Sequence, residues 1–218
     1  NVAADAFVNS AMTGANGGLV VVAADDPSMH SSQNEQDSRF YGKFALVPTF
    51  EPSTQQEAYD MVQAAFDFSE KYRIPVLMRL TTRMAHSRAM VEPREARSEN
   101  SLAYPARTRQ WVLMPGNSRV RYEALLADYA RFEEEAAASP FNRYADAEDK
   151  SLGIIACGIA YNYLAENYPD GCPHPVLKIS QYPLPQELVR RMASECKALL
   201  IIEEGQPVLE EALRGILP

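Results

Sequence analysis

The 218-residue chain holds only three cysteines, three histidines and one tryptophan, and it contains no long apolar run. Cys157, Cys172 and Cys196 stand far apart with no C-x-x-C pair. That excludes an iron–sulfur or zinc centre built from this segment alone, and it suits a reduced, cytoplasmic protein. A membrane-spanning helix needs about 20 consecutive apolar residues, and no stretch approaches that. Basic residues are the minority, 21 Lys and Arg against 29 Asp and Glu, for a net charge of −8. A nucleic-acid partner would want the opposite balance. Gly153 and Gly158 fall short of a G-x-G-x-x-G, so a nucleotide site in the second half has no support. Repeats, heptads and low-complexity segments are also missing.

What remains is 46% hydrophobic and 23% charged, the profile of a soluble globular chain with a core. Val2, Ala3, Ala6 and Phe7 fall at helical spacing, with Gly14 placed to cap the helix. Leu19–Ala24 reads as a buried strand, Phe40–Ala45 as a short helical turn and Phe44–Phe50 as a second strand. Ser53–Tyr72 predicts a helix, opened by a Thr54–Glu57 capping box and buried along Ala58, Met61, Val62, Ala65, Phe66 and Phe68. Val76–Leu80 completes a βαβ pattern. The charged tract after Glu92 reads as a connector with Trp111–Met114 as an apolar anchor. A helix from Asn117 or Ser118 to about Ala138 follows, with Leu125, Tyr129, Phe132 and Ala136 inward. From Ser151 a second alternation of strands and helices runs to Arg214. The expected fold is α/β. Residues 1–91 form a doubly wound parallel sheet unit, 92–150 a connector, and 151–218 a smaller α/β unit.

One stretch is polar out of proportion, Asp25 to Arg39, and it leaves the carboxyl end of a predicted parallel strand, where ligands of open α/β sheets bind. His30 has the right proton affinity to donate or shuttle, or it ties the loop to backbone. Ser31, Ser32, Gln33, Asn34 and Gln36 offer donors and acceptors in close order, although such residues also close turns. Arg39 can grip a carboxylate bidentately or pair with Glu35. Arg79, Thr82 and Arg83 end the third predicted strand and can share that edge. Asp25, Asp26 and His30 lack a supporting fourth ligand, so Asp26-Pro27 reads more simply as a turn than as a metal site. Cys157 reads as a small buried hydrophobe, and Glu203-Glu204 as a solvated or capping strand end.

Asn1–Asp5, Gly17-Gly18-Leu19-Val20, Ala24–Asp37, Pro75-Val76-Leu77 with Arg79, Thr81, Thr82 and Arg83, Ser151–Ile155, Tyr182–Pro185 and Ile202-Glu203-Glu204 carry a resemblance. They resemble the alpha subunit of the indolepyruvate:ferredoxin oxidoreductases, within the thiamine-diphosphate-dependent 2-oxoacid:ferredoxin oxidoreductase family. The resemblance implies the later half of a pyrimidine-binding domain followed by a transketolase C-terminal-like domain. The activating glutamate segment is expected before Asn1, and the diphosphate–magnesium domain and cysteine-rich tail beyond Pro218. It also implies oxidative decarboxylation of arylpyruvates such as indolepyruvate to an acyl-CoA. Thiamine diphosphate with Mg and 4Fe-4S clusters would serve the full enzyme, and none is expected on this segment alone, which should be inert. Implied partners are a beta subunit, a second alpha subunit, ferredoxin, coenzyme A and the 2-oxoacid.

By the same resemblance, His30 and Arg39 are candidate catalytic residues. Ser31, Ser32, Gln33 and Asn34 would contact cofactor, and Gln36, Arg79, Thr82 and Arg83 substrate. A different 2-oxoacid preference, or a non-catalytic assembly module, remains an alternative. An incomplete sheet would leave apolar faces of Leu19–Ala24 and Val76–Leu80 uncovered, favouring association with another copy or with an earlier portion of the protein.

Overall fold

The structure is a computed structural model that describes residues 2–101, 104 and 108–214. Helix α1 (Ala4–Thr13) closes on Gly14, whose φ of 74° lets its N–H reach Ser10 O. The apolar run becomes strand β1 (Val20–Asp25), and α2 (Arg39–Ala45) follows the polar loop. Only Thr49–Phe50 forms strand β2. The expected strand from Phe44 starts late because Phe44 and Ala45 complete α2, and Leu46 turns left-handed (φ 57°) to end it.

Helix α3 (Gln55–Tyr72) starts where the capping residues place it, with Thr54 accepting the Glu57 N–H. The capping box is half formed, because the Glu57 carboxylate reaches Ser53 N and Oγ instead. Met61, Ala65 and Phe68 face the core, whereas Val62 and Phe66 are 40% and 42% exposed. These two lie on the flank of the helix, beside the extended tract that runs along it. That tract is tied down by Arg94–Asp60 and Arg97–Asp67 pairs. Strand β3 (Val76–Thr81) leads directly into α4 (Thr82–His86). Trp111, the expected anchor, ends a short 3-10 turn and is 47% exposed.

Helix α5 (Pro115–Ala137) has Met114 at its N-cap, ahead of the expected caps Asn117 or Ser118, since Pro115 suits a first helical turn. Its stripe is as expected: Phe132 stacks edge-on against Phe68 at 5.4 Å and Tyr72 at 5.1 Å. Strand β4 (Arg143–Ala145), inside the tract read as connector, is an edge strand of the second sheet. Then come β5 (Gly153–Cys157), α6 (Ala160–Asn167), β6 (Val176–Ile179), β7 (Gln181–Tyr182), α7 (Gln186–Glu195), β8 (Leu199–Ile202) and α8 (Val208–Leu213).

Two four-stranded sheets result, in the orders β1-β3-β2-β7 and β4-β6-β5-β8. Within the first, β1, β3 and β2 are parallel. In the second, β6, β5 and β8 are parallel, and β4 is antiparallel to β6. The short β7 comes from the second half of the chain yet pairs antiparallel with β2. It thereby stitches the two units through backbone. Cys157 is fully buried, and its thiol is pushed up by burial, as befits an inert core residue. Val22, on edge strand β1, is 56% exposed, while Val76, Leu77 and Met78 are covered. Among the described residues, no helix is long and apolar enough to cross a membrane.

Candidate functional site

Asp25 and Thr81 are partners in register at the carboxyl ends of β1 and β3. The polar loop and α4 therefore leave the sheet at the same edge. Asp26 organises the first half of the loop. Its carboxylate accepts the backbone N–H groups of Ser31 (2.7 Å) and Ser32 (2.9 Å) and the hydroxyl of Thr82. The Thr82 hydroxyl and the Ser31 amide hold the Asp26 carboxyl well below the usual range. Glu35 closes the rest by accepting the Ser28 N–H at 2.9 Å. Between these ties the backbone turns left-handed at Ser28 (φ 66°) and Met29 (φ 54°). The loop is thus held by its own carboxylates. His30, Ser31, Gln33 and Asn34 are left on its exposed side. The side chains of His30, Gln33, Asn34 and Gln36 have no hydrogen-bond partner among the described residues.

Beneath the loop lies a buried charge cluster. Asp25 accepts Ser38 N at 2.7 Å, Ser38 Oγ at 2.9 Å and Arg79 Nε at 2.6 Å. Arg79 also pairs with Glu51 and donates to the Glu204 carbonyl at 3.0 Å. Tyr182 donates its hydroxyl to Glu51 at 3.0 Å. Arg39 donates to Asp37 through Nε at 2.9 Å, to Glu203 through Nη1 at 2.9 Å and to the Gln206 carbonyl at 2.9 Å. Burial works to raise the Asp37 carboxyl, but Arg39 and Arg79 outweigh it and keep it ionised below its ordinary range. Burial alone would pull the Arg39 guanidinium down, and Glu51 and Asp37 raise it instead.

Of the residues expected at the site, six share the loop: His30, Ser31, Ser32, Gln33, Asn34 and Gln36. Thr82 touches it from below. Arg39 and Arg79 are buried, with carboxylates and carbonyls of this chain as partners. Glu35, the expected mate of Arg39, bonds Ser28 instead. Arg83 is exposed on α4, lies 5.2 Å over the Tyr163 ring and sits 3.5 Å from Glu204.

Sequence reasoning did not find the roles of Asp37 and Glu51, and it gave Glu57 a capping role without its ion pair. Glu203 caps α8 through Leu209 N, as one reading had it, but it also meets Arg39. Lys178 was likewise missed. It pairs with Glu57 of α3 from inside the wholly buried β6. A lone lysine in an apolar strand was the available signal. Among the described residues, no group of three His, Cys, Asp or Glu side chains is arranged to hold a metal ion.

No protein-family profile matches the chain. Over 220 residues, 99% of the chain, it is 41% identical to indolepyruvate oxidoreductase subunit IorA of Methanothermobacter marburgensis. It is 39% identical to the subunit of that name from Archaeoglobus fulgidus, again across 99% of the chain. The Pyrococcus abyssi subunit is 41% identical across 98%. These matches cover 36%, 35% and 34% of the relatives, so the chain spans about a third of their length. Among solved structures, it superposes on a 2-oxoglutarate:ferredoxin oxidoreductase from Magnetococcus marinus with a TM-score of 0.68. That match covers 99% of this chain and 46% of the other at 12% identity, and it establishes a shared α/β fold.

Proposed function

We propose that this chain is a segment of an oxidoreductase subunit that oxidatively decarboxylates arylpyruvates, indolepyruvate foremost. The products would be an aryl acyl-CoA and reduced ferredoxin. Identity of about 40% along its whole length to subunits named for indolepyruvate supports the substrate class. The solved structure that shares its fold holds 2-oxoglutarate, coenzyme A and succinyl-CoA.

The observation that carries the reading is the Asp26-centred loop, whose unpartnered imidazole and amides face outward at the edge shared by β1 and β3. That set of donors and acceptors fits the amine and ring nitrogens of an aminopyrimidine and the carbonyl of a 2-oxoacid. It does not fit a diphosphate–magnesium group, for which the described residues offer no carboxylate set. Thiamine diphosphate, held chiefly by other parts of the subunit, would supply the electron sink for decarboxylation.

In this reading Ser31, Ser32, Gln33 and Asn34 orient the pyrimidine end of that cofactor. Gln36 and Arg83 meet the substrate carboxylate, with Thr82 steadying the loop beneath them. His30 holds or delivers a proton at the substrate carbonyl oxygen. Arg39 and Arg79 act through the carboxylates that they hold. A beta subunit, a second alpha subunit and ferredoxin complete the working assembly, in the cytoplasm.

The test is turnover by the full-length subunit in its assembly, with thiamine diphosphate, coenzyme A, ferredoxin and a panel of 2-oxoacids. Preferred oxidation of indolepyruvate or phenylpyruvate is expected. A preference for pyruvate or 2-oxoglutarate refutes the substrate class, and failure to bind thiamine diphosphate refutes the whole reading.

A further inference from the structure

The candidate loop has two anchors, and they belong to different units of the fold. Its first half is held locally, by Asp26 and Thr82. Its second half ends at Ser38, held by Asp25, and on either side of it Asp37 and Arg39 take partners from the turn between β8 and α8, far along the chain. Arg39 meets Glu203, the Asp37 carboxylate accepts Gln206 N at 3.0 Å, and Arg79 meets the Glu204 carbonyl.

Gly205 sits in the middle of this contact with a φ of +110°. A Cβ there would stand 2.7 Å from Asp37 Oδ2 and 3.0 Å from Arg79 Nη2. The approach is as close as backbone can make. The side chains of Arg39, Asp37 and Glu203 are 2%, 1% and 8% exposed, so the charged groups of the contact are buried beneath an exposed turn. A contact of this kind has one good geometry and loses much when displaced.

We propose that the β8–α8 turn is a latch on the candidate loop, and that Glu203 and Gly205 are positioning residues for the reaction. The second unit would then help set the geometry of a site carried by the first. This rests on the loop being the reacting face, as proposed above.

The geometry dictates where loosening is felt. When Glu203 loses its charge, Arg39 keeps Asp37 and the Gln206 carbonyl but loses its ion pair to the second unit. The far end of the span from Asp26 to Ser38 then keeps Asp25 and Gln206 N but has lost the ion pair that fixes it to the second unit. Glu203→Gln keeps one acceptor oxygen, which serves Leu209 N, and gives up the longer 3.3 Å bond from Glu210 N, so α8 keeps the shorter of its two cap bonds. Gly205→Ala acts on the same latch by intrusion and backbone strain rather than by charge.

The experiment uses the full-length assembled protein, wild type, Glu203→Gln and Gly205→Ala. Amide hydrogen exchange is followed by mass spectrometry alongside steady-state kinetics with indolepyruvate. Exchange in the peptide spanning residues 26–38 should quicken about tenfold in Glu203→Gln while β5 and β6 stay protected. KM for the 2-oxoacid should rise by a similar factor with the melting temperature little changed. Unchanged exchange across 26–38 overturns the latch. So does quickening spread over β5 and β6, which would mark plain destabilisation. If exchange quickens in 26–38 alone and kinetics do not move, the latch stands and the loop's role as the reacting face falls. Should Gly205→Ala fail to fold, Glu203→Gln decides.

Discussion

Arg39, at the start of α2, and Glu203, at the end of β8, are separated by 164 residues of chain and by 2.9 Å in space. The ion pair joins the two sheets at the point where the polar loop begins to fold back. With the β2–β7 ladder and the Lys178–Glu57 pair, it makes the interface between the units partly ionic.

Removing a cation from such a cluster is costly. Arg79→Met strands Asp25 and Glu51 without their shared partner, both under 10% exposed. The expected loss is about 3–5 kcal/mol of stability, read as a lower denaturant midpoint. Arg97→Ala, which breaks only the exposed pair to Asp67, should leave the midpoint nearly unchanged. Equal effects would contradict the burial difference.

The Lys178–Glu57 pair should show its charge through pH. Burial pulls the Lys178 ammonium below its ordinary range, and Glu57 opposes that pull. Glu57→Gln leaves a buried cation without its counter-charge, between Arg143 in register on β4 and the Tyr161 ring 5.2 Å away. The variant should be markedly destabilised at pH 7 and recover toward wild type near pH 10, as Lys178 discharges. Denaturation at the two pH values checks it. A deficit that does not shrink with rising pH refutes the assignment.

Asp26 makes the opposite prediction. Its carboxyl lies below its unfolded value, so its contribution is in place above the ordinary carboxylate range and fades only as pH falls through the depressed value. Protection of the Ser31 and Ser32 amides should persist at pH 4, near the ordinary aspartate value of about 3.9. Asp26→Ala, which removes the oxygen that both amides share, should lose that protection at every pH. Hydrogen exchange corrected for intrinsic rate measures both, and loss of wild-type protection between pH 7 and 5 contradicts the account.

Phe132 sits wholly buried among Phe68, Tyr72 and Tyr129. Phe132→Ala should cost about 3–5 kcal/mol, because three rings cannot close on the void. Calorimetry would show a correspondingly lower transition.

Both parallel sheets were legible because their strands are near-continuous apolar runs between strong helix signals. Thr54 with Glu57 located α3, and the Leu125–Ala136 stripe located α5. The misses share a cause. Strands β4 and β7 are three and two residues long, and their pairing comes from partners far away in sequence. Val62 and Phe66 fit a helical stripe but lie beside a polar tract that spacing does not place. At the site, the loop was visible as an excess of polar residues after a strand. Which arginines face outward was not visible, since Arg39 and Arg79 take their partners from Glu51, Glu203 and Glu204, residues that only the tertiary fold brings near.

The most direct measurement is kcat/KM for indolepyruvate in the full-length assembled enzyme with His30→Ala. His30 is exposed and bonds nothing among the described residues, so the substitution should leave the melting temperature and thiamine diphosphate affinity as they were. Loss of a proton-transfer group should lower kcat by about a hundredfold or more. Unchanged turnover in a stable, cofactor-loaded variant would contradict the claim that this loop is the reacting face.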